Sequence, residues 1–156
     1  MVNIEQYLAE DLVCLDLKAH THRELFKEML HYVERKGYLT EPDHAEKLLL
    51  KRERLSSTGI KGGFAIPHAY LDQIQGSLLV IGLSKRGVDF QTGDREPVHV
   101  IFLLLGPARQ QGLHIRLLAC LSRIVSSENL CENLLQATSA KQVIALLKQT
   151  PVNCQP

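Results

Sequence analysis

A histidine set directly after a proline, with a glycine-rich loop before it, has the makings of a nucleophile. His68 closes the stretch Gly63-Phe64-Ala65-Ile66-Pro67-His68, which follows a small polar loop from Ser56 to Gly63. Pro67 fixes its own φ and biases Ile66 toward an extended conformation, so His68 leaves a strand-like segment with little backbone freedom. A neutral imidazole, with an unperturbed pKa of about 6.5, is a competent nucleophile at neutral pH, and its phosphoramidate is labile enough to be passed on. Lys47, Lys51, Arg52, Arg54 and Lys61 lie close before it and make a local cationic excess. Phosphoryl transfer rests mostly on positioning and charge stabilisation, which such groups supply. Each feature alone has a plainer reading: histidines are more often packed or satisfied than reactive, and cationic runs are more often the solvated face of a helix.

A second histidine adds to the first. His114 falls in the first turn of a helix expected to begin near Gly112, where free N–H groups and the helix dipole favour anions. On this reading it faces a phosphorylated side chain; its plainer reading is a histidine packed at a helix start. The remaining histidines suggest a zinc hydrolase as the enzyme alternative, through His20, His22 and His44. That alternative is disfavoured, because Thr21 signals a helix entrance between His20 and His22 and no HExxH or cysteine pair accompanies them. Neither GxSxG nor GxxxxGK[ST] occurs, which argues against serine and nucleotide hydrolysis. His31, His44 and His99 read as structural or surface residues.

The elements that must position these residues follow from periodicity. Leu12 to Leu17 alternates like a half-buried strand. Thr21 and Glu24 form a capping-box pattern ahead of a stripe of Leu25, Phe26, Met29, Leu30 and Val33, and Gly37 supplies the stop. A second helix runs from about Pro42 to Leu55, with Thr40 as its expected cap. Leu78 to Leu83 and Val98 to Leu105 are nearly continuous apolar runs, as central strands covered on both faces require, with a short Val88 to Phe90 piece between them. The last third is helical: Leu113 to Val125, Leu130 to Ala137, and a Ser139-capped segment through Leu147. The expected fold is α/β, a single three-layer domain with a mixed sheet of about five strands and helices on both faces.

Composition sets the bounds. With 156 residues and 45% hydrophobic content the chain suits one domain, residues 1–150, with 151–156 as a flexible tail. Lys and Arg number 18 against 17 Asp and Glu, and stacking aromatics are scarce, so nucleic-acid binding is not expected. The cysteines Cys14, Cys120, Cys131 and Cys154 show no CxxC spacing and read as reduced thiols of a cytoplasmic protein. The start of the chain lacks a basic and apolar leader, and no apolar stretch approaches the roughly 20 residues that span a bilayer, so neither export nor membrane insertion is expected.

Arg52-Glu53 with Leu55, then Ser57-Thr58-Gly59-Ile60, then Gly63 through His68, then Val98 to Pro107 and Leu113-His114 stand in one order along nearly the whole chain. In these motifs the chain resembles the enzyme IIA domains of the fructose and mannitol class of the bacterial phosphoenolpyruvate-dependent phosphotransferase system, including the nitrogen-type regulatory members. Ala69 stands where many relatives carry glycine. The resemblance implies a phosphotransferase component in which His68 is the phosphoacceptor, His114 the second active-site histidine and Arg52 a holder of the phosphoryl group. It implies an HPr-like phosphocarrier as donor, and a permease IIB component or a regulatory target protein as recipient. No metal, nucleotide or other cofactor is implied. With no permease domain in the sequence, a regulatory role is expected ahead of sugar delivery. The non-enzymatic alternative is a binding module of the same fold that regulates transporters or kinases through its surface.

Overall fold

A computed structural model of the chain describes residues 2–91, 96–151 and 154. Its sheet is built on the two long apolar runs, β5 (Leu78–Val88) and β6 (Val98–Gly106). They pair antiparallel from Leu78 opposite Leu105 to Leu83 opposite Val100, then again at Val88 opposite Val98 past a shift in register. β1 (Val13–Cys14) lies parallel to β5. On the other side β6 takes two short parallel partners in succession, β3 (Phe64–Ala65) and β4 (His68–Tyr70). β2 (Gly59–Ile60) pairs antiparallel with β3 and completes a mixed sheet of six strands.

Among the described residues five α-helices cover the sheet: α1 (His22–Arg35), α2 (Pro42–Leu55), α3 (Gln111–Ile124), α4 (Leu130–Leu135) and α5 (Ala140–Gln149). Strand alternation in β6 divides the core between them. Ile101, Leu103 and Leu105 face a cluster with Leu25, Phe26, Met29 and Leu49 of α1 and α2, while Val100 and Phe102 face Cys120, Leu121, Leu134 and Val143 of α3, α4 and α5. The three-layer arrangement is therefore the expected one.

Caps and stops explain the helix limits. Thr21 Oγ1 accepts from Glu24 N at 3.3 Å and caps the helix, and the Glu24 carboxylate reaches back one residue past the cap to accept from His20 N at 2.9 Å. Gly37 ends the turn after α1 at φ +85°, a conformation that favours glycine. α2 begins at Pro42 as expected, but its capping position is Glu41 rather than Thr40, and no side chain bonds there.

Four local expectations change. The strand expected over Leu12 to Leu17 is only Val13–Cys14, because Glu10–Leu12 winds into a 3-10 turn, and Leu17 N then bonds Leu83 O at 3.0 Å. Val88 is the end of β5 rather than the start of a separate piece. Two strands, β2 and β4, were not expected as such; each is too short to show a period. Cys120 and Cys154, read as reduced thiols, form a disulfide with Cα atoms 5.1 Å apart, while Cys14 and Cys131 are free. Of the expected tail 151–156, only Pro151 and Cys154 are described, and the others lie outside the described residues. Among the described residues no helix is long and apolar enough to cross a membrane.

Candidate functional site

His68 opens β4 at the edge of the sheet. Pro67, which has no N–H to offer a strand ladder, sits at the joint between β3 and β4, where its carbonyl accepts from Leu104 N at 3.0 Å. Ile66 N bonds Thr58 O at 3.1 Å, so the residues ahead of His68 are held from both sides. The period of two sends Ala69 into the core beneath α1 and α2 and leaves His68 and Tyr70 on the other face. Ala69 fits because β4 is extended there and needs no positive φ. His68 Nδ1 lies 2.9 Å from Ile66 O, and since a carbonyl only accepts, Nδ1 carries the proton and Nε2 keeps its lone pair. Burial lowers the His68 pKa, as does the nearby Arg52 guanidinium, against the opposing Ile66 bond and the Glu53 charge. The ring is thus a neutral imidazole at pH 7 with one free nitrogen.

Arg52 and Glu53 come from the last turn of α2. Arg52 donates through Nη1 to Ser56 O at 3.1 Å, which folds the chain back after the helix. The Glu53 carboxylate accepts from Thr58 N at 2.8 Å and from Thr58 Oγ1 at 2.7 Å. Ser57 Oγ donates to Phe90 O at 3.3 Å. The small, polar, glycine-rich loop is thus tied at three successive residues, Ser56, Ser57 and Thr58.

His114 stands in the first turn of α3 and is 2% exposed. Its ring centroid lies 5.8 Å from that of His68 and 4.6 Å from that of Tyr70. Burial, with a smaller contribution from His68, pushes its pKa down to about 4, so it too is neutral at pH 7. Neither ring nitrogen has a hydrogen-bond partner among the described residues; nor do Ser77 Oγ and Gln110 Oε1, which are also buried. The backbone around them is fixed: Asp72 Oδ1 accepts from Ala108 N at 2.9 Å, and Arg109 donates to Gln75 O at 2.9 Å. Those two bonds join the β4–β5 loop to the turn before α3.

The three residues singled out in sequence therefore converge from α2, β4 and α3. Tyr70, Ser77, Gln110 and the Glu53–Thr58 latch were missed. A signal for Tyr70 was present, since a residue two after His68 in a strand shares its face. Nothing in the sequence pairs residue 77 with residue 114. The other histidines go elsewhere: His20 Nε2 lies 3.0 Å from Arg86 Nη1, His22 packs against Phe26 and Phe90, His31 lies 3.7 Å from Glu34, His99 donates to Ser84 O at 2.8 Å, and His44 is exposed. Among the described residues no group of three His, Cys, Asp or Glu is placed to hold a metal ion.

Residues 6–150 match the model of the family described as phosphoenolpyruvate-dependent sugar phosphotransferase system, EIIA 2. The fructose-specific EIIA component of Haloferax volcanii is 30% identical over 139 residues, 89% of this chain and 90% of that protein. The fructose-specific EIIABC component of Bacillus subtilis is 28% identical over 148 residues, and there the match covers 95% of this chain but only 23% of the longer relative. In three dimensions the nitrogen regulatory protein IIA-Ntr of Neisseria meningitidis superposes with a TM-score of 0.83 at 30% identity, over 92% of this chain and 98% of that one.

Proposed function

This chain belongs to the EIIA 2 family of the phosphoenolpyruvate-dependent sugar phosphotransferase system, and from that premise we propose that it is a cytoplasmic phosphocarrier whose acceptor is His68. The observation that carries the reading is the pairing of a bonded Nδ1 with a bare Nε2 on a neutral His68, beside a neutral His114. Nε2 attacks the phosphorus of a phosphohistidine on an HPr-like donor protein. The new N–P bond forms as the old one breaks, and its electron pair returns to the donor ring. Phosphorylation leaves the His68 ring cationic, and the Ile66 carbonyl stabilises the proton that stays on Nδ1. Arg52 counters the charge of the phosphoryl oxygens, and the first turn of α3 with His114 faces them.

A protein donor and recipient suit the surroundings. Large apolar side chains are exposed beside each site residue in the chain: Leu55 at 81% after Arg52, Tyr70 at 38% after His68, and Ile115 at 54% next to His114. Such side chains are the usual material of an interface core. The recipient is a permease IIB component or a regulatory target protein, a choice that follows the similarity of this chain to both a fructose-specific EIIA component and a nitrogen regulatory protein. Incubation with phosphoenolpyruvate, enzyme I and HPr, followed by intact mass measurement, tests the reading. Wild type is expected to gain one phosphoryl group and His68→Ala none; equal labelling of the two, or none of wild type, refutes it.

A further inference from the structure

Arg23 and Lys27 of α1 and Lys47, Lys51 and Arg54 of α2 line a groove of about 680 Å³ between the two helices, with the buried Leu50 among them. A second cavity of about 300 Å³ shares Arg23, Leu50 and Arg54 with it and runs on past the end of α2 to Ser56 and Ser57. All five cations are exposed, and among the described residues none has an ion pair or a side-chain hydrogen bond, although Asp43 and Glu46 line the same groove. Over the whole chain 18 Lys and Arg stand against 17 Asp and Glu, so the excess is local. Helix dipoles account for only part of it. Arg54 suits the last turn of α2, but Arg23 lies in the first turn of α1, where a cation is disfavoured.

Spacing and sign define what fits. Lys47, Lys51 and Arg54 stand at i, i+4 and i+7, within about 60° of one another around α2 and about 100° or more from Arg52, so the groove lies on a different side of the helix from Arg52. On α1, Arg23 and Lys27 are one turn apart. A row of cations at helical spacing pairs with carboxylates at the same spacing on a helix laid alongside. From Asp43 to Arg54 the groove runs about 16 Å, or roughly three turns. Its sign reverses over that length, from Asp43 and Glu46 at one end to Arg23 and Arg54 at the other. A uniformly charged strand of phosphates is repelled at the acidic end, whereas a peptide can change sign with the groove. We propose that the α1–α2 groove is a docking surface for a partner protein, which lays an acidic helix of about three turns along it, with carboxylates over Lys47, Lys51 and Arg54 and a basic residue over Asp43.

Fluorescence anisotropy with a labelled synthetic helical peptide tests this, the probe carrying glutamates at i, i+4 and i+7 and lysines at one end. Wild type is expected to bind it more tightly than the same residues with the lysines moved to the middle, and more tightly than a single-stranded DNA oligonucleotide of equal length. Lys51→Glu combined with Arg54→Glu weakens binding by about tenfold or more, and Asp43→Lys, at the other end, by about threefold. Lys141→Glu combined with Lys148→Glu on α5 changes nothing. No binding of the peptide, equal binding of the rearranged one, tighter binding of DNA, or a Kd untouched by Lys51→Glu with Arg54→Glu overturns the assignment. Should that double variant not fold, an unchanged Kd in Asp43→Lys overturns it instead. No phosphoryl donor is present, so failure of His68 to accept phosphate refutes the carrier reading separately.

Discussion

His114 is a base held neutral by burial, and this has a consequence for stability. Its folded pKa of about 4 lies below the unfolded value of 6.5, so between those limits the unfolded chain binds more protons than the folded one. Stability is therefore full above pH 6.5 and falls as the pH drops toward 4, by up to about 3 kcal/mol from this residue. His68, whose pKa is also lowered, adds a loss of the same sign. Urea denaturation of wild type and His114→Gln across this range should show a shallower decline in the variant; identical slopes would mean that His114 is protonated in the folded state at little cost. Arg52 has a different profile, since its guanidinium bonds the exposed turn at Ser56. Arg52→Ala is expected to slow phosphate acceptance while changing stability by no more than about 1 kcal/mol. A large drop in melting temperature would make Arg52 chiefly a structural residue. Both of these residues, and His68, were readable because each sits at a recognisable boundary: the end of a helical stripe, a proline joint, a helix start. Ser77 was not, because no local pattern brings its buried hydroxyl beside Gly106.

The end of α2 and the loop after it act as one element. Glu53 receives both the N–H and the hydroxyl of Thr58, and Thr58 is 7% exposed, so removing the carboxylate strands two donors away from water. Glu53→Ala should lower unfolding stability by about 1–3 kcal/mol and slow phosphate acceptance as well, because Thr58 O anchors Ile66 two residues before His68. Denaturant midpoint and phosphorylation rate check the two effects together. On the proposed reading, adjacent residues of one helix turn divide the work, Arg52 acting on charge and Glu53 on loop shape. Elements of nine or more residues were legible from their pattern: α1, α2, α3 and the two long strands stand close to where the sequence puts them. Short ones were not. Gly59–Ile60 becomes a strand only through its pairing with β3 a few residues on, and His68–Tyr70 only through β6 far along the chain, while the expected Leu12 to Leu17 strand shrinks where a 3-10 turn takes its start.

At the scale of the whole molecule, two nearly continuous apolar strands demand cover on both faces, and the helical stripes supply it; this much follows from sequence. The pairing of Cys120 with Cys154 does not, since neither spacing nor composition brings the end of the chain against α3. The bond spans 34 residues, and closing a loop of that length stabilises a fold by about 3–4 kcal/mol through the unfolded state. For a chain of this size that corresponds to a melting temperature higher by about 10 °C. Cys120 is fully buried, so replacing it would perturb the core; Cys154 is the better probe. Cys154→Ser, or a reducing agent on wild type, should each lower the melting temperature by that amount, and the two together by no more than either alone. A melting temperature unmoved by both would mean that the thiols do not pair in solution. Cys120 lies beyond the turn of α3 that holds His114, and the site itself is fixed by Ile66, Glu53 and Asp72, none of which depends on the bond. Reduction should therefore leave phosphate acceptance at 25 °C unchanged while narrowing the temperature range over which the chain stays folded.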